Sequence, residues 1–148
     1  MKEIGHVKEA GNNIDILLAQ WQTCVEMANC VSQRRDMMNN IFVTLNLAIV
    51  AAVSLTWSFK SLFLLIAGLV VCTIWLFFIR NFKLLNSAKF QVINNIEESL
   101  PSTPFSDEWK ELKSNKKYMN GTKLEKSLPI TFSILYATAI ILVAFTKP

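Results

Sequence analysis

Few residues in this chain have side chains suited to chemistry, and their spacing argues against most of it. One histidine, His6, and three cysteines, Cys24, Cys30 and Cys72, are the whole stock of imidazole and thiol ligands. A structural zinc site wants closely paired cysteines, and acid–base catalysis wants a histidine or two carboxylates converging on one point. No CxxC pair occurs. Cys24 and Cys30 fall on substantially different faces of a helix, and Cys72 lies inside an apolar run. Free thiols are therefore expected, with no metal, no cofactor, no catalytic residue and no enzymatic activity. A helical-bundle ribonuclease would need a histidine soon after an arginine, and none follows His6. A lipid-modifying enzyme would need a histidine or paired acids near the bilayer, and neither is present there.

What remains is polar chemistry inside long apolar stretches. Thr44, Asn46, Ser54, Thr56, Thr73, Thr131, Ser133, Tyr136 and Thr138 interrupt them, and Asn46 matters most. An amide in hydrocarbon needs a partner, so Asn46 faces another helix or water rather than lipid. Both roles stay open: interhelical hydrogen bonding and pore lining, the latter shared with Thr44, Ala48 and Ala51. The small residues Ala48, Ala51 and Ala52, with Ser54, also permit close helix approach. No Asp, Glu, Lys, Arg or His lies in these stretches. A coupled ion pump or proton relay is therefore disfavoured, since such transport uses an intramembrane ionisable group.

The elements that hold these residues follow from composition. Of 148 residues, 52% are apolar, and mean hydropathy is +0.34, above what a soluble domain of this size shows. Residues 41–59 carry no charge and, at about 1.5 Å per residue, cover roughly 28 Å, close to a hydrocarbon core of about 30 Å. After Lys60, residues 61–79 do the same and are closed by Arg80. So short a link makes a transmembrane hairpin, with Trp57 and Lys60 at its interfacial turn. Residues 128–145 form a third span or a tilted interfacial helix, with Pro129 suited to a first helical turn. No basic region followed by a short apolar run opens the chain, so the first span is expected to direct insertion itself.

The net charge of +4 is informative through its placement. Arg34 and Arg35 precede the first span, and Arg80 with eight lysines lies between the second and third. Only Lys60 and Lys147 fall on the other side. The positive-inside rule then puts the N-terminus and residues 80–127 in the cytoplasm of a multi-pass protein. Arg34, Arg35 and Arg80 read as basic anchors at the membrane boundary, facing lipid headgroups. The lysines of 110–126 alternate with Glu111, Tyr118 and Glu125, which suits a solvated or membrane-facing surface and no specific nucleic acid.

Residues 1–40 and 80–127 flank the spans. Ile14, Leu17, Leu18, Trp21, Cys24, Val25, Ala28 and Val31 recur at helical spacing, predicting an amphipathic helix from Asn12 that runs without a break into the first span. Phe82, Leu85, Val92, Ile93, Ile96 and Leu100 mark a second apolar face, which stops at Pro101, with Glu97 on the opposite, polar side. Ser106 is placed to cap a short helix over 107–113, and Ser114, Asn115 and Asn120-Gly121 mark a loop. Such stripes usually form core. Segments of this length bury little alone, however, so Leu17, Trp21, Val25, Ala28, Ile93, Ile96 and Trp109 are taken as a face for self-association. The fold expected is all-α: an integral membrane protein with a transmembrane hairpin, a third span and amphipathic cytoplasmic helices, read as one unit.

Two stretches, CVEMANCVSQRRDMMNNIFVTLNLAI over 24–49 and LLNSAKFQVINNIEESLPSTPFSDEW over 84–109, together resemble the RipA-like family of small octameric bacterial membrane proteins. The likeness is carried by Glu26, Ala28, Ser32, Arg34, Arg35, Asn39, Phe42, Asn46, Asn86, Lys89, Glu97, Leu100, Pro101, Glu108 and Trp109. A looser, architectural likeness links the chain to the pore-forming membrane protein that accompanies type VI-B CRISPR effectors. The resemblance implies a homo-oligomeric ring, of eight subunits, in the bacterial inner membrane. It further implies an opening lined by the first span with Asn46 and Thr44 wetted, a phage or host protein as trigger, and antiviral action on the membrane. The rival expectation is a non-conducting scaffold or regulator that recruits a partner.

Overall fold

The computed structural model describes residues 2–55, 58, 60–115, 117–119 and 121–145, with side chains from residue 13 onward. The described residues are all-α: α1 (Lys2–Leu55), α2 (Ser61–Glu97), α3 (Pro104–Ser114) and α4 (Gly121–Phe145). Of these, α1, α2 and α4 are long and apolar enough to cross a membrane. The chain is a multi-pass membrane protein of helical class.

Helix boundaries differ from the sequence expectation at several points. The first helix begins at Lys2 rather than at Asn12, and runs through Gly11 and the two asparagines. A glycine costs about 1 kcal/mol inside a helix, which a long helix absorbs when no turn competes. The expected interfacial Trp57 lies outside the described residues. The second helix continues past Arg80 and stops at Glu97, before the prolines, where Leu100 N–H donates to the Glu97 carbonyl (2.9 Å) in a closing turn. The third begins at Pro104, with Thr103 rather than Ser106 at its cap position and proline in the first turn, where its missing N–H is least needed. The fourth begins at Gly121, so that Pro129 lies inside the helix and not in its first turn.

The chain divides into two compact units, each assembled from separated stretches of sequence, a division that linear composition does not display. The flanking unit comprises Met1–Gln33 and Leu84–Tyr118. Within it Ala28, Val31, Ile93 and Glu97 are buried, and Phe105 of α3 packs its ring against both Trp21 of α1 (5.7 Å between centroids) and Phe90 of α2 (5.8 Å).

The spanning unit comprises Arg34–Lys83 and Met119–Pro148. Its core is Val53, Leu65, Cys72, Tyr136 and Val143, adjoined by a second cluster of Phe42, Trp75 and Ile79; Phe132 packs against both. On α4 the buried residues are Pro129, Tyr136 and Val143, one every seven positions, which keeps a single seam facing α1 and α2. Lipid tails are as apolar as leucine, so burial gives little driving force here; close packing and hydrogen bonds hold these helices together.

Candidate functional site

The spanning unit is organised around Asn46. Its side chain is fully buried, and all three spanning helices contribute a polar contact to it. The Asn46 amide nitrogen donates to the Phe42 carbonyl one turn earlier (2.7 Å). Its oxygen accepts from the Tyr136 hydroxyl of α4 (2.9 Å) and from the Cys72 thiol of α2 (3.2 Å), and the same hydroxyl lies 3.2 Å from the Asn46 carbonyl. An amide in hydrocarbon is costly only while it lacks partners, and here a single side chain is satisfied by three.

Gly68 makes the arrangement possible. A Cβ at this position would stand 2.6 Å from Cε2 of Tyr136, so the tyrosine ring reaches Asn46 by lying directly on the α2 backbone. Two turns before Asn46 on α1, Asn39 Oδ1 accepts from Trp75 Nε1 (2.8 Å), and Phe42 stacks on Trp75 at 5.6 Å and 9°. Cys72 is thus a buried donor and not a reactive group; all three cysteines are free thiols.

Asn46 therefore takes the interhelical role and not the wetted one. Thr44, Ala48 and Ala51 occupy a different side of α1, where all three are exposed. The Thr44 hydroxyl donates to the Asn40 carbonyl (2.9 Å), as a threonine does on a helix surface with no other partner. Along this line Thr44, Ala48 and Ala51 sit between two exposed apolar residues, Ile41 and Leu55. The outward sides of α2, with Phe63, Ile66, Val70, Ile74 and Phe77, and of α4, with Ile130, Ile134, Leu135, Ile141 and Leu142, are bulky and apolar and suit lipid.

Among the basic anchors, Arg34 and Arg80 are exposed, as headgroup contacts require. Arg35 differs. Its Nε donates to Glu125 Oε2 (2.9 Å), a second guanidinium nitrogen reaches the same oxygen, and that nitrogen also donates to Thr122 Oγ1 (2.9 Å). The side chain is spent on α4, because the fork of a guanidinium matches a carboxylate better than it matches water.

In the flanking unit the supposed self-association face is largely consumed within the chain. Ala28 and Ile93 are buried and Leu17, Trp21, Val25 and Ile96 are half-buried, while Trp109 alone of that set is exposed. Sequence periodicity marks an apolar face but does not say whether its partner is in the same chain. Trp109 carries Lys113 Nζ at 5.2 Å from its ring centroid and meets Tyr118 edge-on. Sequence reasoning missed Glu97. Instead of facing solvent, its carboxylate is fully buried and accepts from the backbone N–H groups of Phe105 (3.1 Å) and Ser106 (3.2 Å). Those N–H groups belong to the first turn of α3, which a negative charge stabilises.

The sequence profile of the octameric membrane protein family (8xMP) matches residues 18–146, nearly the whole chain. The chain belongs to that family. No curated protein and no solved structure matches it. Of the residues that carried the resemblance, Arg35, Asn39, Phe42, Asn46 and Glu97 each make one of the contacts above.

Proposed function

We propose that the chain assembles as a homo-octameric ring in the bacterial inner membrane and forms a pore whose opening dissipates the membrane potential, as an effector of antiviral defence. The family name supports the stoichiometry. The observation that carries the pore is the exposed stripe of Thr44, Ala48 and Ala51. With Asn46 turned inward, this short run of small residues between the exposed Ile41 and Leu55 offers both room and weak polarity. The positive-inside rule places the N-terminus and residues 80–127 in the cytoplasm, with Arg34 and Arg80 against the headgroups and Trp109 available to a neighbouring copy or a phage or host protein trigger.

Reconstitution tests the proposal. Vesicles containing the purified protein are expected to leak small ions, and Thr44→Leu with Ala48→Leu is expected to reduce the leak at least roughly tenfold without altering assembly, because both positions are exposed in the single chain. Assembled protein with no leak would instead favour the non-conducting scaffold.

A further inference from the structure

The first two turns of α4 are attached differently from the rest of that helix. Among residues 121–128 none is buried, whereas Pro129, Tyr136 and Val143 are. The Arg35 clamp ties this stretch to α1, with two guanidinium contacts to Glu125 and one to Thr122. Beyond it lies Pro129, which has no N–H to give the Glu125 carbonyl and so removes one rung of the helix ladder at the junction. On the far side, Tyr136 is locked to Asn46. A half-exposed stretch tied to α1 by the Arg35 clamp thus adjoins a stretch held by buried packing, with the weak rung between them.

We propose that residues 121–128 are an arm, hinged at Pro129 and latched to α1 by Arg35, and that release of the latch is the movement that opens the pore. The arm follows from the contacts above; its role as a gate rests on the pore proposed in the preceding section. The latch is breakable because both partners stay partly accessible, with side chains 15% and 24% exposed. A water-accessible ion pair can be exchanged for hydration, whereas a buried one cannot.

Hydrogen exchange on the full-length assembled protein reads the arm directly. In Glu125→Gln, and separately in Arg35→Glu, amide exchange over 122–128 is expected to rise roughly tenfold, the scale of a lost charge-assisted hydrogen bond, while 132–143 stays unchanged. Combining Arg35→Glu with Glu125→Arg is expected to restore protection. Pro129→Ala, which favours the helix and restores the missing rung, is expected to slow exchange over 122–128. Unchanged exchange in both single variants, or a rise equal on the two sides of residue 129, overturns the latch; no slowing in Pro129→Ala overturns the hinge. Flux through vesicles reads the gate: Glu125→Gln is expected to raise it severalfold over the wild type, and equal flux overturns the gating role. Wild-type vesicles without any flux would defeat the pore itself, and exchange would still report the arm.

Discussion

A single amide fixes where three helices meet. Since Asn46 Oδ1 accepts from two other helices, Asn46→Leu removes that acceptor from both Tyr136 and Cys72 and leaves the hydroxyl the longer contact to the residue-46 backbone carbonyl. The expected cost is about 1–2 kcal/mol, measured by unfolding in mixed detergent micelles. Tyr136→Phe removes the hydroxyl that loses its side-chain acceptor, so the double variant is expected to lose less than the sum of the two single losses. Gly68→Ala is expected to be as damaging, at roughly 1–3 kcal/mol, because its Cβ would meet the Tyr136 ring, and Tyr136→Leu should relieve part of that loss. Asn46 was legible in the sequence, since an amide in an apolar run must have a purpose. Its partners were not: Tyr136 and Cys72 stand far along the chain, and nothing in their neighbours' identities points toward residue 46.

At the scale of elements, α3 illustrates how a short helix is held by what it docks on. Its own sequence provides Thr103 at the cap position and Asp107 and Lys113 near its ends, but no side-chain cap to its N–H groups. The buried Glu97 carboxylate supplies that cap from α2. Glu97→Gln keeps the shape but loses the charge, and α3 is expected to loosen by about 1–2 kcal/mol, read as faster exchange or proteolysis over 103–115. A milder pH dependence belongs to Asp107. Its hydrogen bond from Lys110, and secondarily that from Thr103, hold its carboxyl below the ordinary carboxylate range. A folded pKa below the unfolded one contributes stability that is present above the unfolded value and lost as pH falls through the folded one. Protection of α3 is therefore expected to show no loss from Asp107 between neutrality and about pH 4, and to decline below it; Asp107→Asn should abolish that acid-side decline. Periodicity announced the apolar faces of α1 and α2, yet Glu97 was placed on the solvent side, because a carboxylate at a helix end is usually solvated unless another helix start lies against it.

For the whole molecule, three spanning helices present different surfaces, and assembly must sort them. Bulky α2 and α4 faces match lipid, and the α1 stripe matches an opening or a neighbouring copy. Electron microscopy of the detergent-solubilised protein is expected to show rings with a continuous central opening. A tryptophan at Ala48 is expected to narrow or close that opening without dissolving the ring, since the residue is exposed and outside the single-chain core. A monomer or small dimer under the same conditions would remove the basis for the ring.

The sequence by itself determined the class of this protein, because uncharged runs of membrane length and the confinement of lysine and arginine to their flanks are one-dimensional properties. It also narrowed the chemistry: one histidine and unpaired cysteines leave polar packing as the chief use of side chains in the spans. Tertiary structure decided which of two roles each polar or basic residue takes. Asn46 turned inward and Thr44 outward because they sit on different sides of one helix. Arg35 left the headgroups because Glu125 and Thr122 came within hydrogen-bond reach. Those outcomes depend on pairings between residues far apart in the chain, which local spacing cannot encode and three-dimensional packing alone selects.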